Sequence, residues 1–78
     1  MPTVLREGPY RFYFFSDERE EPAHVHVDRD RCSAKFWLDP IALAHSRGFA
    51  AHERHRIRSI LEDHRFELLE AWHDFFEG

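Results

Sequence analysis

The sequence predicts an α+β fold, with a small antiparallel sheet of four to five strands followed by two C-terminal helices packed on it. The hydrophobic pattern changes once along the chain, near residue 49, from a period of two to the spacing of a helix. Strand-like segments therefore come first and helix-like segments last, which is the order of α+β proteins. With 78 residues, of which 42% are hydrophobic, the chain fits a single domain over residues 1–78.

Two strands are predicted before the first histidines. Residues 3–6 form a short strand candidate, which the turn sequence Glu7-Gly8-Pro9 ends. Residues 10–15 are almost all aromatic, which suits a central strand with both faces covered, or with one face covered and the other at an interface. A charged loop over residues 16–22 follows, and it places acidic side chains directly before the next strand.

Residues 24–28 and 31–38 are predicted to form a hairpin, joined by a two-residue turn at Arg29-Asp30. In this register His24 lies opposite Lys35, and cross-strand partners share a face of the sheet. A longer loop with an even number of residues would keep the same assignment of faces. The apolar residues that this register places on one face, where we expect them to contact the helices, are Val25, Val27, Cys32, Ala34 and Phe36.

A weaker strand is predicted over residues 41–46, before Arg47-Gly48, and the helical pattern starts after it. A break over residues 62–64 favours two helices, with Asp63 as the N-cap of the second. One long bent helix fits nearly as well. The apolar residues that recur at spacings of three and four, and that we expect in the core, are Ile57, Ile60, Leu61, Leu68, Leu69, Trp72, Phe75 and Phe76.

Composition limits the classes of function. A formal net charge of −4 argues against a nucleic-acid binder held by overall positive charge. Cys32 is the only cysteine, so the chain cannot form an internal disulfide, and this indicates a reducing cytoplasm. A zinc site built from cysteines is excluded for the same reason. No apolar run approaches the length of a membrane span. We expect a cytoplasmic protein that does not bind membranes.

Charge is unevenly distributed along the helical part. Acidic residues dominate from residue 62 onward, whereas the preceding segment is basic. The structural interpretation is two solvated helix faces of opposite charge, and the functional interpretation is a local binding site for an anion or RNA. The candidate residues for such a nucleic-acid or anion site are Arg47, Arg54, Arg56 and Arg58. The many aromatic residues also leave a homodimer open.

His24 and His26 are the candidate catalytic pair, because the period of two along a strand sends both imidazoles to one face. Two histidines can act as general base and general acid in metal-independent RNA cleavage, and Lys35 or Arg31 can stabilise the charge that develops on the phosphorane. The alternative is that both histidines are structural residues of a polar face, hydrogen-bonded to the acids before them.

A metal site on the same pair needs at least a third ligand. A lysine placed opposite His24 would repel a cation. We therefore expect no metal and no cofactor, although a metal-dependent hydrolase stays open as an alternative. The residues near the pair or elsewhere in the chain from which a third ligand would have to come are Glu20, Glu21, His45 or a distant histidine.

With these residues laid out, the chain resembles the bacterial family called domain of unknown function 4160. The segments that carry the resemblance are residues 1–4, Glu-Pro-Ala-His-Val-His-Val at 21–27, and residues 34–38, 43–44, 47–49 and 69–72. Genes of this family often lie beside a gene for another small domain of unknown function, numbered 2442, and the pair looks like a toxin-antitoxin module. The resemblance thus implies a partner protein from a neighbouring gene and a toxin role, but no established activity.

We therefore predict an interaction module of a two-gene toxin-antitoxin-like pair, which binds a small partner protein through exposed aromatic residues and its charged faces. The alternatives are a small metal-independent ribonuclease that uses His24 and His26, a metal-dependent hydrolase, and a regulatory nucleic-acid binder that uses the four arginines. An open cleft around the two histidines would favour chemistry, and a covered one would favour interaction or structure.

Overall fold

A computed structural model describes residues 3–77 and confirms the α+β fold. Met1, Pro2 and Gly78 lie outside the described residues, and with them the first two residues of the N-terminal segment that carries the resemblance. Each strand pairs with its neighbours in the sequence, so the antiparallel sheet has the order β1-β2-β3-β4-β5. The elements are β1 (Thr3–Glu7), β2 (Tyr10–Tyr13), β3 (His24–Arg29), β4 (Cys32–Leu38), β5 (Ile41–Arg47), α1 (Ala51–Asp63) and α2 (Arg65–Glu77).

The turn between β3 and β4 lies one residue further along the chain than predicted. Its two residues are Asp30 and Arg31, and Arg29 pairs with Cys32. Asp30 adopts a φ of 54°, in the left-handed region that aspartate tolerates better than most residues. The predicted register is therefore wrong by two residues.

The corrected register changes the neighbours of the histidines and preserves the faces of the sheet. Lys35 lies opposite His26, not His24, whose partner is Trp37. Because a shift of two residues leaves every side chain on its own face, the predicted apolar face is confirmed. Its residues Val25, Val27, Ala34 and Phe36 are buried, and Cys32 is half-buried.

Bulges interrupt the two outer strand pairings. The register shifts between Thr3 and Leu5 in the pairing of β1 with β2, which leaves Val4 as the extra residue. It shifts again where β4 pairs with β5, because Lys35 pairs with His45 but the next residue pairs with Leu43. Ala44 is therefore the extra residue of β5, and Leu43 and His45 lie on opposite faces of the sheet.

The helices cover the apolar face and one end of the sheet. The buried residues of α1 are Ile57, Ile60 and Leu61, and those of α2 are Leu68 and Trp72. The Trp72 ring lies 5.3 Å from Phe14, so α2 reaches the end of the sheet where β2 stops. Trp72 is buried as predicted, but Phe75 keeps 39% of its surface exposed. No helix within residues 3–77 is long and apolar enough to cross a membrane.

The two predicted helices are confirmed, but the break between them is at His64. Asp63 is the last residue of α1, so the prediction that it caps α2 is wrong. The His64 N–H donates to the Ile60 carbonyl at 3.1 Å, and the His64 carbonyl accepts the Leu68 N–H at 3.0 Å. One residue thus ends α1 and begins α2.

The first turn of α1 is fixed to the sheet by Glu53. Its carboxylate accepts hydrogen bonds from Arg29 Nε at 2.7 Å and Arg29 Nη2 at 2.8 Å, and a third from the Tyr10 hydroxyl at 3.2 Å. These bonds, those from Arg29 above all, hold the pKa of the Glu53 carboxyl below its ordinary value. Glu53 therefore ties the first turn of α1 to β2 and β3.

Candidate functional site

A loop closes over the two histidines of β3. His24 and His26 are the first and third residues of that strand, so they share a face of the sheet. The preceding loop, residues 14–23, folds back across this face and brings Glu18 onto both imidazoles. We refer to Glu18, His24 and His26 as the His-Glu cluster.

One oxygen of Glu18 joins the two rings. Glu18 Oε1 lies 2.7 Å from His24 Nε2 and 2.7 Å from His26 Nε2. The other nitrogen of His24, Nδ1, lies 2.9 Å from the Pro22 carbonyl. A carbonyl oxygen only accepts hydrogen bonds, so Nδ1 carries a proton and donates it to Pro22. His24 Nε2 is the nitrogen that faces Glu18 Oε1.

Aromatic rings surround the cluster. Trp72 of α2 lies 4.9 Å from the His24 ring and Trp37 of β4 lies 5.6 Å from it, so His24 is completely buried. Tyr13 stacks on His26 at 5.5 Å, and the edge of Phe15 lies 4.5 Å from the same ring. The cluster is thus a covered site, in which 12% of the His26 side chain and 21% of that of Glu18 stay exposed.

The charges around the cluster are paired. Burial works to raise the pKa of the Glu18 carboxyl, but the hydrogen bonds from His24 and His26 outweigh it and bring the pKa below its ordinary value. Glu18 is therefore ionised at neutral pH. Lys35, the third residue of the predicted catalytic set, forms an ion pair with Glu21 and lies over the Trp37 ring at 4.6 Å. Its charge is balanced outside the cluster.

A second feature lies between α1 and the sheet, where a groove of about 160 Å³ opens toward solvent. We refer to it as the basic groove, lined by Phe36, Leu43, Ala51, Arg54, His55 and Arg58. Arg54 donates to the Phe49 carbonyl at 2.7 Å and Arg58 to the Ile41 carbonyl at 3.2 Å. These bonds hold both guanidinium groups at its rim.

The four arginines predicted as a nucleic-acid or anion site do not share one surface. Arg54 and Arg58 are one helical turn apart and both line the basic groove. Arg56 lies on another side of α1, since residues two apart on a helix do not face each other. Arg47 pairs with Ser33, so it belongs to the histidine face of the sheet. Nucleic-acid binding by all four together stays a prediction.

A family model described as Domain of unknown function (DUF4160) matches residues 10–73. The chain belongs to the DUF4160 family. The matched region of this DUF4160 domain includes β2 to β5, the whole of α1, the His-Glu cluster and the basic groove. Neither the curated proteins nor the solved structures contain a match to the chain.

Sequence reasoning singled out the histidines of this DUF4160 domain but missed Glu18. Sequence order favours Glu20 and Glu21 as partners of the histidines, because they come shortly before His24. The acidic loop itself indicates a carboxylate partner for the histidines, because the loop can fold back and place any of its carboxylates against the strand that follows. The carboxylate that does so comes from earlier in the loop, while Glu21 binds Lys35.

The cluster offers the donor atoms of a metal site more readily than those of a proton-transfer site. Its two imidazole nitrogens and one carboxylate oxygen all lie within 4.8 Å of one another. His24 is inaccessible to a substrate and both of its nitrogens already have partners. Catalysis by His24, His26 and Lys35 stays a prediction, and the geometry around His24 does not favour it.

Proposed function

We propose that this DUF4160 domain is a cytoplasmic interaction module of a two-gene toxin-antitoxin-like pair, which binds a small partner protein through the basic groove. One observation carries the proposal. The groove combines an apolar floor with two arginines at its rim, although the chain as a whole has a net charge of −4. Such a local reversal of charge favours a partner segment of opposite sign.

The lining of the groove indicates the chemistry of that segment. Leu43 is 44% exposed and lies opposite Phe36 on the face of the sheet that α1 covers. Among residues 3–77, no carboxylate lines the groove, and the nearest ion pair is a long contact of 3.9 Å between Arg58 Nε and Glu62. An apolar side chain flanked by acidic residues would cover Leu43 and pair with Arg54 and Arg58.

The exposed aromatic residues of α2 are weaker candidates for the interface. Phe66 is 81% exposed and Phe75 is half-exposed, but they are nine residues apart in the helix. At 3.6 residues per turn, this spacing places them on opposite sides of α2. They do not form one apolar surface, whereas the groove residues do.

The covered histidine site also favours interaction over RNA cleavage. A general acid or base has to reach the substrate, directly or through one water molecule. His24 is completely buried beneath Trp37, Trp72 and the loop that carries Glu18. A metal-independent ribonuclease would require this loop to open, whereas an interaction module needs only the groove.

The test is co-expression with the protein of the neighbouring gene, followed by calorimetric titration of the separately purified proteins. We expect a complex that forms at micromolar concentration and melts at a higher temperature than this chain alone, because a ligand that binds only the folded state stabilises it. Cells that express the chain alone should grow more slowly than cells that express the pair.

Charge reversal at two positions of α1 then locates the interface. Arg58→Glu replaces an attractive contact in the groove with a repulsive one, and we expect it to weaken binding about 10-fold. Arg56→Glu is the matched control, since it makes the same charge change on an exposed part of the same helix outside the groove. We expect less than about a twofold effect from it.

Failure of the two proteins to associate at micromolar concentration would remove the proposal. Equal effects of Arg56→Glu and Arg58→Glu would reject the groove as the interface. Growth arrest that disappears with His26→Ala in a folded protein, while the complex still forms, would instead favour the ribonuclease.

A further inference from the structure

We infer that the His-Glu cluster is a binding site for a divalent transition-metal ion of the Zn²⁺ class, which fastens the loop over residues 14–23 to the sheet. This site is separate from the basic groove and does not depend on the function proposed for it. Glu18 Oε1, His24 Nε2 and His26 Nε2 are the donor atoms.

The donor set itself selects the class of ion. Two imidazole nitrogens and one carboxylate oxygen suit Zn²⁺ and its first-row neighbours, whereas Mg²⁺ and Ca²⁺ are bound almost entirely by oxygen. The donors already converge, because one oxygen of Glu18 lies 2.7 Å from both nitrogens. Around a tetrahedral ion with bonds of about 2.1 Å the donors would lie roughly 3.4 Å apart. Each contact between Glu18 and a ring nitrogen would therefore lengthen by roughly 0.7 Å on binding the ion.

The hydrogen bond to Pro22 prepares His24 as a ligand. Metal-binding histidines usually donate their second ring N–H to a carbonyl or carboxylate, which fixes the tautomer and the orientation of the ring. His24 Nδ1 does this with the Pro22 carbonyl at 2.9 Å. Its Nε2 is therefore the ring nitrogen that faces the Glu18 carboxylate and would bind the ion.

The local charge does not oppose a metal ion. A lysine opposite a ligand would repel a cation, and the observed register places Lys35 opposite His26. The Lys35 ammonium is, however, paired with Glu21. Tyr13, Phe15 and Trp37 shield the two imidazoles from most of the solvent, and lower polarity strengthens the attraction between a carboxylate and a cation.

The experiment uses the full chain, treated with a chelator and dialysed. Zn²⁺ is titrated by calorimetry, and Co²⁺ is added separately because its visible absorption reports the coordination geometry. We expect one ion per chain with a Kd below about 1 μM, and a higher melting temperature with Zn²⁺ than without. Mg²⁺ at millimolar concentration should not compete. Unfolding on chelation that Zn²⁺ reverses would also support the site.

Glu18→Gln and His26→Ala test the ligands, and His73→Ala is the matched control. His73 lies 2.7 Å from Glu77, so it forms a contact of the same kind and length, but on the exposed surface of α2 and without a third donor. Loss of a direct ligand should weaken Zn²⁺ binding by at least about 100-fold, more than the loss of an outer-shell partner. His73→Ala should leave the affinity within about twofold of the wild type.

Zn²⁺ binding that is equally tight in the wild type and in folded Glu18→Gln and His26→Ala would overturn the inference. So would a wild type with no binding tighter than about 100 μM. In either case the cluster would be a hydrogen-bonded contact that holds the loop to the sheet.

Discussion

Truncation of Phe36 is the most direct test of the packing between the sheet and α1. Phe36 is only 2% exposed, pairs with Val25 and forms part of the floor of the basic groove. Replacement by alanine gives up roughly 120 Å² of apolar burial, which at about 25 cal/mol per Å² corresponds to about 3 kcal/mol. A sealed cavity would add up to about 2 kcal/mol. Because Phe36 borders the groove, water can fill the space, and we expect a total near 3 kcal/mol.

Urea unfolding followed by circular dichroism measures this loss. A chain of 78 residues should have a free energy of unfolding of about 4 to 12 kcal/mol, so Phe36→Ala remains measurable over most of that range. Phe36→Leu, with an expected loss of about 1 kcal/mol, serves if the alanine variant does not fold. Phe66→Ala is the control, because it makes the same change at an exposed site and should alter stability by less than about 0.5 kcal/mol. Similar losses from Phe36→Ala and Phe66→Ala would refute the assignment of faces.

Two further predictions concern the ends of elements. Hydrogen bonds from His64 to Glu67 and to Glu7 raise its pKa, so stability from this group is complete below the ordinary histidine pKa of about 6.5 and is lost as pH rises through the higher folded value. The unfolding free energy should show this dependence between pH 6 and 8, and an unchanged profile in His64→Gln would contradict it. Gly48→Ala should cost more stability than Gly8→Ala. Both have positive φ, but a Cβ on Gly48 would lie 2.9 Å from the Cys32 sulfur, whereas one on Gly8 meets nothing within 4 Å. Equal shifts of the urea midpoint would count against the close contact.

The faces of the sheet could be predicted from the sequence, but the register could not. The predicted and observed registers differ by two residues, and both keep Val25, Val27, Ala34 and Phe36 on one face. Hydrophobic pattern therefore cannot distinguish them. The choice depends on the local conformation of Asp30, whose positive φ places the turn. The bulge at Ala44 similarly explains why alternation in β5 was weak.

The site was predictable only where it follows strand geometry. The shared face of His24 and His26 follows from the period of two. Glu18 lies in a loop, where no period relates a residue to a face. The burial of His24 depends on Trp72, which belongs to the last helix and meets the strand only after the chain has folded. Asp63 is a residue type that often caps helices, but here it is the last residue of α1 and His64 separates the two helices. The His64 ring contacts Glu7 of β1, a long-range contact that the helical pattern does not reveal.

Both bulges lie in edge strands, and this limits how molecules of the chain can stack on one another. A sheet grows by adding a strand to an edge whose backbone donors and acceptors form an even, straight row. Val4 in β1 and Ala44 in β5 each break that row and increase the local twist, while the inner pairings are regular. A second molecule of the chain that approaches either edge strand therefore finds no straight row of backbone groups with which to pair. The bulges therefore disfavour fibre-like growth of the sheet at both of its edges.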